Sequence, residues 1–321
     1  MTALATAARE PAGLGPSAGR PGRSAGPVRD FRRTKWGYAY SAPAVLIFSA
    51  FIIIPTGYTF YVSLWRWDSA NPAFSKFLGG KNYSRLFTSS SPDFLGSLAH
   101  SLYFAVAMVI GGTALSLCCA LLLQRGGKLL NASRLAVYLP HATPVIATSL
   151  AWVWIFNPQF GLANWILGGL GLPTSQWLIS STSAMPAIIV YSLWHEIGFT
   201  TVIFLGGLAV ISNELGEAAQ VDGCSPWQEF WYITWPQLRP VITFVVAITT
   251  IGSLQAFTQF YEMTAGGPVY STTTLSYLVF YEADVLFDQG YGAAIAVVLF
   301  LITVFFTIVR RRSASGSAGL V

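Results

Sequence analysis

Polar side chains interrupt two of the long apolar stretches of this chain. They are aromatic, hydroxyl, amide and carboxyl groups within 184–210 and 240–261: Tyr191, Trp194, Glu196, Ser253, Gln255 and Gln259. A sugar has hydroxyls on one side and C–H bonds on the other, so planar polar groups and aromatic faces together suit it. Because polar groups inside apolar stretches are costly in lipid, they indicate a binding function. Alternatively, they hydrogen-bond neighbouring helices or, as for Trp194, only pack.

Two further patterns bear on chemistry. Gln255, Gln259 and Glu262 are spaced i, i+4 and i+7, which predicts one face of a single helix. His195-Glu196 has the form of the start of a zinc-protease helix, but Phe199 stands where the second histidine is required. The three cysteines have no metal-site spacing. The sequence therefore predicts no metal site and no catalytic residue.

The composition is that of a membrane protein. Of 321 residues, 54% are hydrophobic and 10% are charged, whereas soluble domains carry about 25% charged residues. A helix of about 20 apolar residues crosses a bilayer. Six stretches meet this length, and they predict an all-α integral membrane protein with six transmembrane helices: 41–64, 99–123, 135–156, 184–210, 240–261 and 291–309. We predict a disordered cytoplasmic tail at 1–37, one domain at 38–312 and a cytoplasmic tail at 313–321.

The basic residues predict the orientation. They cluster before the first stretch, in the short loop at 124–134 and at Arg310–Arg312, whereas the loops 157–182 and 262–290 contain none. Lys and Arg in short loops favour the cytoplasmic side. Six spans with both termini in the cytoplasm satisfy this rule, with the basic loop 66–97 as the exception. The same topology places the polar segment 211–239 in the cytoplasm.

The polar segment 211–239 predicts two short helices joined at a glycine. Asn213 is a candidate N-cap of the first helix, and Gly223 permits the left-handed turn that ends it. Ser225, Pro226 and Gln228 have the spacing of a capping box that starts the second, over about 226–234. Pro236 and Pro240 are expected to stop this helix. On these grounds alone, the segment could also be an interfacial connector without a partner.

The spacing in this segment resembles the EAA loop of bacterial ABC importer permeases. Glu217-Ala218-Ala219 is followed after three residues by Gly223, after nine more by Ile233 and after two more by Pro236. Asp222 fits the carbohydrate-importing branch, of the maltose and glycerol-3-phosphate type. The chain departs from the family pattern by having Cys224 in place of Ala and Trp235 in place of Leu. Other phrases are similar to the same branch: 77–87 with Asn82-Tyr83, 161–167, 205–208, 264–268 and 272–274.

The resemblance implies the type I importer fold and a set of partners. These are a second permease subunit, two nucleotide-binding ATPase subunits and an extracytoplasmic solute-binding protein, in the membrane lipid of a bacterial inner or plasma membrane. ATP and Mg would bind the ATPase subunits, so this chain would hold no cofactor and no nucleic acid. The coupling residues would be Glu217, Ala218, Ala219, Asp222 and Gly223.

The sequence agrees that ATP binds elsewhere, since none of its four lysines lies in a phosphate-binding loop. No Lys or Arg falls inside the six predicted spans, which favours a neutral sugar or polyol over a glycerol phosphate. The alternatives are a glycerol-phosphate-type importer subunit, a stand-alone secondary transporter and a membrane enzyme. A secondary transporter would be typified by internal repeats, and none is evident.

Overall fold

The structure, a computed structural model, describes residues 31–69, 71–88, 92–124 and 128–317. These residues are mostly helical, which confirms the predicted all-α class. The chain divides into two compact units, 1–54 and 55–321. In the first unit, helix α1 (Phe31–Phe48) continues into a wider π turn at Ser49–Ile53. The predicted tail 1–37 is therefore too long, since residues 31–37 are helical; residues 1–30 lie outside the described residues.

The second unit begins within α2 (Ile54–Val62) and carries a short ladder in which β1 (Trp65–Arg66) pairs antiparallel with β2 (Lys76–Phe77). Its other helices follow in chain order: α3 (Lys81–Arg85), α4 (Phe94–Ala107), α5 (Thr113–Leu123), α6 (Lys128–Ala142), α7 (Val145–Ile155), α8 (Leu162–Gly169), α9 (Ala184–Val210), α10 (Asn213–Val221), α11 (Pro226–Glu229), α12 (Trp235–Leu254), α13 (Thr258–Thr264), α14 (Leu275–Phe280) and α15 (Gln289–Ser317). π turns connect α4 to α5 at Met108–Gly112 and α11 to α12 at Phe230–Thr234, and a third follows α14 at Tyr281–Val285.

Five helical runs of the described chain are long and apolar enough to cross a membrane: Gly37–Val62, Phe94–Leu123, Ala184–Val210, Pro226–Leu254 and Gln289–Val309. The predicted third span, 135–156, is wrong as a single helix, because α6 ends at Ala142 and α7 starts at Val145. Proline disfavours the helical conformation of the residue before it. Pro144, with ψ of 130°, is the N-cap of α7 and separates the two helices.

The predicted fifth span, 240–261, is wrong at both ends. Its helix begins at Pro226 and runs through the π turn to Leu254, so the second helix of the polar segment does not stop near Pro236. A proline ring in a helix interior clashes with an earlier carbonyl and lacks an N–H. A wider π turn ends two residues before Pro55 and another two residues before Pro236, and these helices continue through their prolines.

Helix α9 organises the packing of the second unit. It packs against α5, α6 and α12, and its Tyr191 and Phe204 are fully buried. Gly198 brings α9 and α6 into close approach, since a Cβ there would lie 2.2 Å from the Val137 carbonyl oxygen. Small residues at such contacts allow helices in membranes to approach closely.

Two loop segments that resemble the family, 77–87 and 264–274, are held by side-chain hydrogen bonds to the backbone. The buried Asn82 Nδ2 donates to the carbonyls of Ser63 and Trp65, at 2.8 and 3.0 Å. In the second segment, Thr272 Oγ1 donates to the Gly267 carbonyl at 2.7 Å and Thr273 Oγ1 to the Gly266 carbonyl at 3.0 Å. In both segments, these hydrogen bonds hold the loop backbone in place next to the helix ends.

Candidate functional site

The polar segment has the predicted elbow. Helix α10 ends in a Schellman motif, in which the Cys224 N–H donates to the Ala219 carbonyl at 2.9 Å and the Gly223 N–H to the Gln220 carbonyl at 3.1 Å. Gly223 has φ of +80° and supplies the left-handed residue. The helix begins one residue earlier than predicted, because Ser212 rather than Asn213 is the N-cap and accepts from the Glu214 N–H at 3.3 Å.

The second helix of the elbow, α11, begins at the predicted capping box. Ser225 Oγ accepts from the Gln228 N–H at 3.4 Å, and Gln228 Oε1 accepts from the Ser225 N–H at 2.8 Å, which completes the capping box. Trp227 and Tyr232 are exposed on the helix that follows. Phe230 packs against the apolar cluster around Phe204 and Leu238. One face of this helix therefore packs against the rest of the domain, and the other face is exposed.

The five predicted coupling residues differ in exposure. Glu217, Ala218, Asp222 and Gly223 are exposed, whereas Ala219 is buried against its own chain. The exposed surface also contains Val221, which is 88% exposed. Together with Glu214, which is also exposed, the elbow presents three carboxylates and an apolar side chain on one short helix. A partner surface that accepts it would need to match both.

The two departures from the family pattern lie away from this exposed surface. Trp235 opens α12, and its ring lies 5.3 Å from that of Trp231 within the apolar cluster of the domain. Cys224 contributes its N–H to the Schellman motif and is half-buried. Neither substitution changes the elbow geometry.

The predicted substrate-path residues are only partly brought together. Tyr191, Glu196, Ser253 and Gln259 line one cavity of about 150 Å³ between α9, α12 and α13. The Tyr191 hydroxyl forms a hydrogen bond with Thr148 Oγ1 at 2.8 Å. Tyr191 therefore contributes its aromatic ring to the wall of the cavity. Ligand pockets usually measure about 300–1,000 Å³, so the cavity in this conformation admits only a small molecule or part of a larger one.

Trp194 and Gln255 do not line this cavity. Trp194 is 40% exposed and packs against Trp152 with ring centroids 5.3 Å apart. Gln255 is exposed at the end of α12. The predicted common face of Gln255, Gln259 and Glu262 is wrong, because the helix is interrupted at 255–257 before α13 begins.

The structure adds cavity residues that the sequence argument missed. Ser192 and Thr200 line the cavity from α9, and the buried Ser192 Oγ has no hydrogen-bond partner among the described residues. Ser192, Glu196 and Thr200 follow one another at i, i+4 and i+8, so a helical-face count from Glu196 would have found them. Ser192 thus places a buried hydroxyl without a partner among the described residues at the wall of the cavity.

Charges also meet between α3 and the start of α15. Arg85 pairs with Asp288, and its guanidinium lies 4.1 Å from the centre of the Tyr291 ring. Glu282 is 4% exposed, and its Oε2 has no hydrogen-bond partner in the described chain. Burial raises the pKa of the Glu282 carboxyl; the positive charge of Arg85 opposes this rise and the negative charge of Asp288 adds to it.

Comparison with known proteins identifies the class of this fold and elbow. Residues 112–316 match the family described as "Binding-protein-dependent transport system inner membrane component". This match covers more than half of the chain, so the chain belongs to this family of multi-pass membrane proteins. The assignment excludes the stand-alone transporter that the sequence left open.

Individual relatives agree over most of their length. The trehalose/maltose transport system permease protein MalF of Thermococcus litoralis is 36% identical over 87% of this chain and 93% of its own. The sn-glycerol-3-phosphate transport system permease protein UgpA of Pectobacterium atrosepticum is 31% identical over 88% of this chain and 95% of its own. A chain of a bacterial alginate ABC transporter superposes with a TM-score of 0.76 at 21% identity, covering 88% of this chain and 94% of that one, which shows the shared fold.

Proposed function

We propose that this chain is a transmembrane permease subunit of an ATP-driven ABC importer for a sugar or polyol. The observation that carries the proposal is the exposed elbow of α10, Gly223 and α11, with Glu217 and Asp222 on its surface. It is a rigid projection built from two caps, and it sits on a chain whose lysines form no phosphate-binding loop. Energy therefore enters from an ATPase subunit that receives the elbow.

The solute class rests on the cavity and on the relatives. The residues that line it include one carboxylate, Glu196, and no Lys or Arg among those described. Correcting the fifth span places Arg239 inside a membrane-length helix, but it does not line the cavity. A phosphate group needs cationic or N–H donors. A neutral, hydroxyl-rich solute of the kind named for the trehalose/maltose relative therefore fits better than one of the kind named for the glycerol-3-phosphate relative.

The assembly and orientation follow from the same proposal. A second permease subunit completes the path, which explains the small volume of the cavity in one chain. The domain over 38–312 carries the transport function, an extracytoplasmic binding protein delivers the solute, and ATP and Mg bind the two ATPase subunits. Both termini and the elbow are cytoplasmic, as the basic clusters indicate. A reporter protein that functions only in the cytoplasm should therefore be active when it is fused to the C terminus.

Uptake by the reconstituted complex tests the function. Proteoliposomes with ATP inside and the binding protein outside should accumulate a radiolabelled neutral saccharide, and glycerol 3-phosphate should not compete. Glu217→Ala should reduce both the uptake rate and the co-purified ATPase subunit. Glu214→Ala, which removes another exposed carboxylate from the same helix, is the matched control and should leave both near wild type. Uptake without ATP, or competition only by phosphorylated solutes, would contradict the proposal.

A further inference from the structure

Three ionisable side chains meet where α6 contacts α9. His141 lies at the end of α6, and His195 and Glu196 lie near the middle of α9. His141 Nδ1 is 3.5 Å from one Glu196 oxygen, and His195 Nδ1 is 3.5 Å from the other. One ligating atom from each residue lies within 4.8 Å of the others. The sequence prediction of no metal site considered one helix only, whereas the second histidine comes from another helix.

These separations suit a shared metal ion better than hydrogen bonds. N–H···O hydrogen bonds usually measure about 2.7–3.2 Å, so both 3.5 Å contacts are long. Ligand atoms about 2.0–2.1 Å from a tetrahedral ion lie about 3.4 Å from one another. Each histidine Nδ1 already lies at nearly this distance from one Glu196 oxygen, but the two oxygens differ. A small rotation of the carboxylate and an approach of the two histidines would complete a tetrahedral set.

The surroundings of His195 favour metal ligation. Its Nε2 lies 3.4 Å from the Thr143 carbonyl oxygen, which can only accept a hydrogen bond. In the tautomer with the hydrogen on Nε2, this N–H points at the carbonyl oxygen and the Nδ1 lone pair is available to a metal ion beside Glu196. Histidines that bind metals commonly donate their other ring N–H to a backbone carbonyl in this way, which fixes both tautomer and ring orientation.

The surroundings of His141 supply an independent reason. Its Nδ1 is buried and has no hydrogen-bond partner among the described residues, which is costly unless a ligand satisfies it. Phe199 lies flat against the ring, with centroids 4.8 Å apart and planes at 16°. Gly198, one residue earlier, permits the approach of α6. The imidazole is thus held in place with its lone-pair or N–H position directed at Glu196.

We propose that His141, His195 and Glu196 form a binding site for one divalent transition-metal ion of the zinc class. Two imidazoles and one carboxylate suit Zn²⁺, Co²⁺, Ni²⁺ or Fe²⁺, whereas Mg²⁺ and Ca²⁺ prefer oxygen ligands. His195 and Glu196 border the cavity, so water can take the open fourth position. The site goes beyond the proposed transport function, because it requires neither a sugar nor an ATPase subunit.

Cobalt binding tests the site. The full chain is purified with its co-purifying subunits through an affinity tag other than polyhistidine, stripped with a chelator and titrated with Co²⁺ while the visible spectrum is recorded. Wild type should bind one Co²⁺ per chain more than the double variant H141Q/H195Q, with the intense absorption of a four-coordinate ion. Loss of a residue that only supports a ligand weakens metal binding about 10–100-fold, so E196Q should weaken it at least that much.

The third histidine of the chain provides the matched control. His100 Nδ1 lies 3.1 Å from the Thr273 carbonyl oxygen and outside the cluster, so H100Q should bind Co²⁺ like wild type. The proposal is overturned if wild type and the double variant bind equal amounts, or if H100Q loses as much as H141Q. Should the variants aggregate, the wild-type spectrum decides: only weak absorption of a six-coordinate ion, or none, rejects the site.

Discussion

Replacing Gly198 by Ala tests the close contact between α6 and α9. The added Cβ would lie 2.2 Å from the Val137 carbonyl oxygen and 2.7 Å from Tyr138 Cα. A carbon–oxygen contact needs about 3.3 Å, so one helix must move by about 1 Å. Both obstructing atoms are backbone atoms, which cannot rotate away as a side chain would.

The magnitude follows from two opposing effects. Overpacking a well-filled contact costs about 1–3 kcal/mol, and a backbone obstruction places this variant near the upper end. Alanine is more favourable than glycine in a helix by about 1 kcal/mol. We therefore expect a net loss of about 2 kcal/mol in the free energy of unfolding. Separation of the helices should also weaken Co²⁺ binding, because His141 moves away from Glu196.

Gly206 provides the matched control on the same helix. A Cβ at Gly206 would have no atom within 4 Å, so Gly206→Ala should gain up to about 1 kcal/mol. Unfolding in mixed detergent micelles, followed by tryptophan fluorescence, measures both variants against wild type. The contrast between them should be about 3 kcal/mol. If Gly198→Ala is as stable as Gly206→Ala, the inferred approach of α6 to α9 is wrong.

Three further predictions concern the elbow and the loops. Gly223→Ala should destabilise the elbow by about 1–2 kcal/mol through its positive φ alone, since the added Cβ meets nothing within 4 Å. We expect slower uptake by the variant, with a circular dichroism spectrum like that of wild type. Glu282→Gln should flatten the pH dependence of stability. The raised native pKa of Glu282 means that the folded state binds more protons than the unfolded state, so the wild type loses stability as pH rises from about 4 through the native pKa, and a variant with the same slope would contradict this. Thr273→Val should cost about 0.5–1.5 kcal/mol, because it removes the side-chain hydrogen bond to the Gly266 carbonyl and leaves that carbonyl only the Thr272 N–H as donor, and melting temperatures that match the wild type would refute it.

The features predicted well from the sequence are those set by local chemistry. Gly223 and the Ser225–Gln228 capping box define the elbow through neighbours within a few residues, and both appear as predicted. The apolar stretches likewise fix most spans, because burial in lipid requires only length and composition. Fold class and elbow were therefore accessible without a structure.

The errors arise where helices continue through prolines or break without an obvious signal. Pro236 predicts the end of a helix, but the helix continues through it. A π turn precedes Pro236 in this helix. The interruption after Leu254 ends the predicted face of Gln255 and Gln259, and α13 then packs against α7, a contact between distant parts of the chain. The His141 contact with Glu196 joins residues 55 positions apart, which no local pattern reveals.

The uninterrupted helix from Pro226 to Leu254 has a mechanical consequence. At 1.5 Å per residue, its 29 residues form a rod of about 43 Å. One end begins at the capping box of the elbow, and the other carries Ser253 to the wall of the cavity. A displacement imposed on the elbow is thus transmitted along a stiff lever, and the break at 255–257 is the first joint at which it can be converted into rotation.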